Sequence, residues 1–226
     1  MKEGRDFAIV NHINSHYSDL KEDFSQIDSV SSFANSGLSR RSILFSFMQI
    51  GELCNHLSKS FLKAFNNDAC IKLISMRNRI VHGYYSIQDD IVYDTIKNHL
   101  PKLIEELNSF TRNYYTSSLK GFIGKKVEVL VDRPIGYIHN NITYKYNYGY
   151  IKEITALDGE FQDVYILSDD KPLYSKEGVV IAIIHRLDDI EDKLIVVDTS
   201  ITLTNQQIEE MVSFQEQFFK HEIIRK

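Results

Sequence analysis

The 226-residue sequence contains only two cysteines and three prolines, and it has no tryptophan. Cys54 and Cys70 cannot build a disulfide framework, and they lie too far apart in the chain to form a CxxC metal pair. No uninterrupted apolar run reaches the roughly 18 residues that a membrane helix needs. The N-terminal stretch MKEGRDF also lacks the apolar segment of a signal peptide. We therefore expect a soluble cytoplasmic protein with no membrane partner.

The sequence has no surplus of basic residues either, since 26 Lys and Arg stand against 31 Asp and Glu. The first 119 residues carry 13 basic and 13 acidic side chains, so the net charge of −5 arises in the second half. A nucleic-acid binder that relied on overall charge would be strongly basic. Contact with nucleic acid would therefore need a local basic patch. The acidic second half instead suits hard cations held by carboxylates.

Apolar residues in the first half recur with a helical period. Val10, Ile13, Tyr17 and Leu20 form one stripe of a first helix. Three further helices are predicted, from an N-cap at Ser39 to about Phe65, over Ala69–Val81, and over Asp89–Tyr115 with a kink or break at Pro101. Four helices with short connections predict an antiparallel four-helix bundle in residues 1–118.

The apolar period changes to two in the second half. Val127, Val129 and Val131 alternate with other residues, as in a half-exposed strand. Further strands are predicted over Tyr146–Ile151, Asp163–Leu167, Val179–Ile184 and Leu194–Val197, before a closing helix that is capped by Thr204 and includes Phe219. Residues 119–226 are therefore predicted to form a small β-barrel with flanking helices. The fold class of the whole chain is α followed by α+β.

A basic cluster closes the third predicted helix in the segment MRNRIVHGYY, which contains Arg77, His82 and Tyr84. Metal-independent RNA cleavage needs a base for the 2′-hydroxyl, an acid for the leaving oxygen and a cation for the phosphorane. Histidine suits the proton transfers, and the planar guanidinium of arginine suits the phosphate. The alternative is a surface cluster that complements the negative end of the helix dipole.

The spacing Arg77-x4-His82-x-Tyr84, with QIGELCNHLSKSF before it and IVYDTIKNHLPKLIEEL after it, resembles the motif of HEPN-domain toxins of the HepT-like branch. The resemblance covers most of residues 7–110. It implies a toxin-like endoribonuclease of stress response or phage defence that needs no cofactor and cuts RNA in a cleft between two protomers. Arg77 and His82 would be catalytic. Tyr84 would be the site that an MNT nucleotidyltransferase antitoxin adenylylates.

Carboxylates crowd two segments of the second half, DGEFQD and HRLDDIEDK. So many negative charges repel one another unless they are solvated or share cations, and oxygen-rich clusters suit Mg²⁺. The alternative is a pair of acidic surface loops.

The segments VDRP, YKYNYGYI, DGEFQDVYIL and DDIEDKL resemble family I inorganic pyrophosphatases over about residues 126–224. Asp132 matches an acidic residue on the first barrel strand. The resemblance implies a Mg²⁺ site and a phosphate site for pyrophosphate or a nucleotide. The implied metal ligands are Asp158, Glu160, Asp163, Asp188 and Asp192, and the implied phosphate-binding residues are Tyr144, Tyr148, Lys193 and Lys220.

The second half also departs from the pyrophosphatase pattern. Glu160 replaces the usual aspartate, Phe219 replaces a tyrosine, and the loop before Lys193 is one residue short. The segment after Asp132 supplies Arg133 where the family has several basic groups. Fewer cations should weaken the binding of a polyanion, because charge-assisted contacts are the strong ones.

Three functions therefore stay open from the sequence. The first is a HEPN endoribonuclease fused to a Mg²⁺-binding pyrophosphatase-like domain. The second is a Mg²⁺-dependent pyrophosphatase or phosphoanhydride hydrolase whose helical domain serves for homodimerisation. The third is a nucleotide-binding regulator without catalytic activity. In the first case the barrel would restrain the toxin, sense a nucleotide, or remove pyrophosphate that a partner nucleotidyltransferase releases.

Overall fold

A computed structural model describes residues 2–82 and 88–226. Contacts divide the chain into two compact units, residues 2–111 and residues 112–226. The first unit is helical and the second contains the strands. No helix in the described residues is both long enough and apolar enough to cross a membrane.

The helical unit forms where the sequence has its 3.6-residue apolar period. Val10, Ile13 and Leu20 are buried along the first helix, as the stripe predicts. The described helices are α1 (Lys2–Phe24), α2 (Val30–Asn35), α3 (Leu38–His56), α4 (Lys59–Phe65), α5 (Asp68–His82), α6 (Asp89–Asp94) and α7 (Leu100–Lys120). A π-helical turn, Thr95–His99, joins α6 to α7.

Two predicted helix boundaries are wrong. α3 begins after Gly37, whose φ of 56° favours glycine, and not after a capping Ser39. The helix predicted to reach Phe65 is interrupted because Ser58 caps a new one, with its side chain accepting from the Phe61 N–H. The Asp6 carboxylate accepts the Ser58 N–H at 2.7 Å and so fixes the break.

Pro101 falls where the last helix of this unit changes its winding. The N–H of Leu100 donates to the carbonyl of Thr95, five residues back, which is π-helical geometry. Pro101 itself has no N–H to donate. Helix α7 continues through Pro101, so the helix is not broken at the proline, and the irregularity is the π-turn immediately before it.

The barrel is a closed five-stranded sheet. Its strands are β1 (Lys126–Arg133), β4 (Asn147–Thr155), β5 (Phe161–Ile166), β6 (Ser175–Arg186) and β7 (Lys193–Val197), with a small hairpin of β2 (Ile138–His139) and β3 (Ile142–Thr143). The order is β1-β4-β5-β7-β6, and β1 also pairs with β6 to close the barrel. The final strand β8 (His221–Ile224) extends the sheet beyond β6.

Helix α8 (Asn205–Glu216) packs on the barrel core. Thr204 and Gln207 form a capping box at its start, as the predicted N-cap requires. Its residues Ile208 and Val212 are buried beside Tyr148 and Tyr165 of the barrel. The helix ends at Glu216, so the predicted extension through Phe219 is wrong.

Candidate functional site

One cleft of the barrel unit gathers most of the predicted metal-binding and phosphate-binding residues. Strands β1, β4, β5 and β7 and the turns beside them contribute to it, and its volume is about 470 Å³. Its lining residues are Asp132, Arg133, Tyr148, Tyr150, Asp158, Glu160, Phe161, Asp163, Glu191, Lys193 and Gln215.

Lys193 is the buried cation of this cleft, with only 1% of its side chain exposed. Its Nζ donates to the Asp163 carboxylate and, at 2.6 Å, to Glu191 Oε2. The ammonium also lies 5.9 Å from the centroid of the Tyr148 ring. One positive charge therefore holds two of the cleft carboxylates together, and the burial that makes Lys193 costly to charge is offset by these partners.

The remaining acidic groups of the cleft repel one another. Burial raises the pKa of Asp158, and the negative charges of Glu191 and Asp163 raise it further. Burial likewise raises the pKa of Asp132, with a smaller contribution from Asp163. A cation in the cleft would relieve this repulsion.

Arg133 supplies the second positive charge of the cleft. Its Nη1 donates to the Tyr144 hydroxyl at 2.6 Å, and its guanidinium lies 5.2 Å from the Tyr148 ring centroid. Burial raises the pKa of Tyr148 well above its usual value, and the nearby Asp163 adds to this, so the phenol stays protonated. Tyr148 lines the cleft. Tyr144, which is also predicted to bind phosphate, lies outside the lining and contacts it only through the hydrogen bond from Arg133.

Asp192 is predicted as a metal ligand, but its side chain points away from the cleft and is not part of its lining. Its carboxylate accepts from Thr116 Oγ1 at 2.7 Å and lies 2.9 Å from His185 Nδ1. Successive side chains of an extended segment alternate in direction. Glu191, the neighbour of Asp192, instead contacts Lys193 inside the cleft, so the two adjacent carboxylates lie on opposite sides of the chain.

Two other predicted residues also lie outside the cleft lining. Asp188 accepts the backbone N–H of Lys220 at 3.0 and 3.1 Å, which ties the turn after β6 to the start of β8. The Lys220 side chain is exposed. Neither residue is brought to the carboxylates that surround Lys193.

The cleft offers the oxygen donors that Mg²⁺ prefers, but they are not gathered around one point. Within residues 2–82 and 88–226, no three His, Cys, Asp or Glu side chains converge closely enough to hold a metal ion. Lys193 occupies the space between Asp163 and Glu191. The donor chemistry therefore fits a hard cation, and binding one would require Lys193 or the carboxylates to move.

The helical unit places Arg77 on α5 beside an acidic partner. Arg77 Nη2 lies 2.6 Å from Glu52 Oε2 of α3, and its Nη1 donates to the Asn78 side chain at 2.9 Å. A Cβ added at Gly51 would come within 2.7 Å of the Arg77 Cβ. Glycine at this position thus lets α3 approach α5 closely enough for Glu52 to orient the guanidinium.

The other two residues of the motif cannot be placed in the same detail. His82 is the last residue of α5, five positions after Arg77, and its side chain lies outside the described part of the chain. Tyr84 lies outside the described residues altogether. Arg77 is therefore the motif residue whose contacts define the helical site.

The two units resemble different known proteins. Residues 13–110 match the HepT-like ribonuclease family. This HepT-like segment includes Arg77 and His82. A Methanocaldococcus jannaschii protein named as a candidate RNase is 24% identical over 75 residues, which cover 33% of this chain and 69% of that protein.

The solved structures that resemble the C-terminal part are inorganic pyrophosphatases. That of Ehrlichia chaffeensis has 14% identity and a TM-score of 0.38, covering 46% of this chain and 87% of its own. That of Helicobacter pylori has 14% identity and a TM-score of 0.37, covering 45% and 85%. That of Neisseria gonorrhoeae has 21% identity and a TM-score of 0.33, covering 40% and 72%.

Sequence reasoning missed four residues of the cleft, Glu191, Tyr150, Phe161 and Gln215. For Glu191, the spacing of two from Lys193 is a signal that could have placed both residues on one face. The sequence predicts Tyr150 only as a strand residue, and it places Phe161 only within the segment DGEFQD, before the predicted strand Asp163–Leu167. The same alternation, counted from Asp163, would have placed Phe161 on the cleft side.

Proposed function

We propose that the helical unit is a metal-independent endoribonuclease that acts as a hydrolase of RNA. The match of residues 13–110 to HepT-like ribonucleases carries this proposal, because it contains the complete Arg77-x4-His82-x-Tyr84 motif. The pairing of Arg77 with Glu52 supports it. The guanidinium is oriented yet still partly exposed, as a phosphate-binding arginine must be.

In this mechanism Arg77 binds the scissile phosphate with its fork of N–H donors and stabilises the charge of the phosphorane. Glu52 holds the guanidinium in place until the anionic phosphate competes for it. The His82 imidazole of one copy takes the proton of the 2′-hydroxyl as its oxygen attacks phosphorus, and that of the other copy protonates the leaving 5′-oxygen, so a 2′,3′-cyclic phosphate and a 5′-hydroxyl form. Two copies of an antiparallel helical bundle would form the RNA cleft, and adenylylation of Tyr84 by an MNT antitoxin would add charge and bulk at the motif.

Cleavage of RNA in EDTA tests the proposal. The full chain should cut a fluorescently labelled single-stranded RNA with or without Mg²⁺, because no step of this mechanism needs an ion. Attack by the 2′-hydroxyl should leave 2′,3′-cyclic phosphate ends, which mass spectrometry identifies. A strict requirement for Mg²⁺, or products that end in 5′-phosphate, would refute the mechanism.

The cleft in the barrel supports a second function, the binding or hydrolysis of a phosphoanhydride with Mg²⁺. This proposal rests on the convergence of Lys193 and Arg133 with five carboxylates in one cleft. Asp132, Asp158, Glu160, Asp163 and Glu191 would hold the ion. Mg²⁺, when bound, neutralises phosphate oxygens and activates water. Lys193 and Arg133 would bind the phosphates, and Tyr148 would donate its protonated hydroxyl.

Glu191 and Asp192 give a matched test of the metal site, since they are neighbours with opposite directions. Replacing Glu191 with Gln is expected to weaken Mn²⁺ or Mg²⁺ binding by about tenfold, as the loss of one ligand charge, measured by calorimetry on the full chain. Asp192→Asn should leave the affinity unchanged but lower the free energy of unfolding by about 1–3 kcal/mol, because it disturbs buried hydrogen bonds. The reverse pattern would restore Asp192 as the ligand.

Assays of RNA cleavage, nucleotide binding and pyrophosphate hydrolysis also decide what the barrel unit does for the helical unit. If RNA cleavage and pyrophosphate hydrolysis are both present, the barrel adds an activity to the toxin. If the barrel binds a nucleotide without hydrolysis, it serves as a sensor or restraint. If hydrolysis of pyrophosphate alone is found, the helical unit serves for dimerisation.

A further inference from the structure

Two aromatic rings stack at the edge of the barrel cleft. The rings of Tyr150 on β4 and Phe161 on β5 have centroids 5.3 Å apart and an angle of 14° between their planes. Both residues line the cleft, and Phe161 is 45% exposed. One face of the Phe161 ring therefore lies against Tyr150 while much of the ring remains open to solvent.

The register of the strands joins this aromatic pair to the polar end of the cleft. Tyr150 is the cross-strand partner of Asp163. Phe161 precedes Asp163 by two residues on the same strand and so shares its face. Asp163 in turn binds the ammonium of Lys193. The cleft thus runs from a planar apolar surface to a buried cation along one face of two paired strands.

We propose that the cleft binds a nucleoside diphosphate, with the base stacked on the exposed part of the Phe161 ring. The diphosphate would lie toward Lys193 and Arg133, which makes this inference depend on the proposed phosphoanhydride site. Base stacking on an aromatic ring is tolerant of sequence and strong enough to matter beside charge contacts. Inorganic pyrophosphate has no group that could use the ring.

The charge of the cleft supports a ligand with a base. Two positive side chains, Arg133 and Lys193, stand against five carboxylates among its lining residues. A diphosphate alone can draw its binding energy only from these two cations and from a divalent ion that the carboxylates hold. A nucleotide carries less charge per unit area and draws part of its binding energy from stacking.

Calorimetric titration of the full chain in magnesium chloride tests the inference. The probes are adenosine 5′-(α,β-methylene)diphosphate and methylenediphosphonate, which share a diphosphate group that resists hydrolysis and differ in the nucleoside. The nucleotide is expected to bind about tenfold more tightly or better. Phe161→Ala should remove that advantage, and Phe161→Leu should also do so because it keeps an apolar side chain without a ring face.

Tyr174→Ala is the matched control, because Tyr174 is 95% exposed and is not among the cleft's lining residues. It should change the affinity for neither probe. If methylenediphosphonate binds and the nucleotide binds no better, or if both Phe161 variants weaken the two probes equally, the base-stacking inference falls while the phosphoanhydride site stands. If neither probe binds to the wild-type chain, both fail together.

Discussion

Replacing His82 with Ala is expected to lower the rate of RNA cleavage in EDTA by about 10²–10⁴-fold, the usual contribution of a positioned general acid or base. Arg77→Ala should cost about 10²–10³-fold, because the phosphorane would lose its cationic partner. Single-turnover cleavage of a labelled RNA by the full chain measures both effects. A combined variant should lose little more than the worse single variant if the two side chains act in one step.

Two controls of the same residue types distinguish catalysis from general electrostatics. Arg79 is exposed on the same helix as Arg77 and lies about 200° further around its axis. His139 is exposed on the hairpin strand of the barrel unit. Arg79→Ala and His139→Ala should therefore cleave RNA within about threefold of the wild type. Equal losses in Arg77→Ala and Arg79→Ala would show that α5 contributes bulk positive charge and no specific phosphate contact.

Replacing Glu216 with Ala is expected to destabilise the barrel unit by about 3–5 kcal/mol. Glu216 is fully buried and accepts hydrogen bonds from Arg186 at 2.8 Å through each of its two oxygens. The Tyr165 hydroxyl donates to the same carboxylate at 2.6 Å. Without Glu216 the buried guanidinium of Arg186 would keep Asp189 at 2.7 Å and Glu191 at 3.9 Å, and neither of them is buried as Glu216 is. Urea unfolding followed by tyrosine fluorescence measures the loss.

A surface pair of the same unit serves as the comparison. Glu209 lies 3.0 Å from His221 but has about half of its side chain exposed. Glu209→Ala should cost less than about 1 kcal/mol, because solvent reaches the exposed half of Glu209 and screens its attraction for His221, whose own side chain is 8% exposed. Replacing Arg186 by Met together with Glu216 by Leu should be less damaging than Glu216→Ala, since no buried charge is left alone. If the single and double variants lose the same free energy, the network contributes through packing and not through charge.

The main elements of both units could be predicted because their apolar residues keep one period for several turns or strand pairs. The elements that could not be predicted depend on partners far away in the sequence. Strand β8 is four residues long and exists because Ile183–Arg186 of β6 accept it as an edge partner. The end of α8 also depends on a partner that is distant in the sequence. Glu216 turns inward to Arg186, and the side chain of Phe219 packs 3.6 Å from the same guanidinium.

Part of the cleft could be predicted from the sequence. The errors in that prediction concern the direction of side chains. Tyr148, Asp163 and Lys193 reach the cleft because the strands that carry them keep the alternation of side chains, and Asp158 and Glu160 reach it from the turn between β4 and β5. The segment before Lys193 has no such period, so its residue types alone do not give the direction of each side chain. Glu191 and Asp192 are adjacent and both acidic, so the composition of the segment does not show which of them faces the cleft.

The last part of α7 is structurally a component of the barrel. Tyr115 donates to the Gln162 side chain, and Thr116 donates to Asp192, both of which are buried. A second half severed at residue 119 would thus leave a buried amide and a buried carboxylate facing lost partners. One that begins at Arg112 would keep them. The last turns of α7, from residue 112 onward, therefore belong to the fold of the barrel unit, and a stable barrel fragment has to include them.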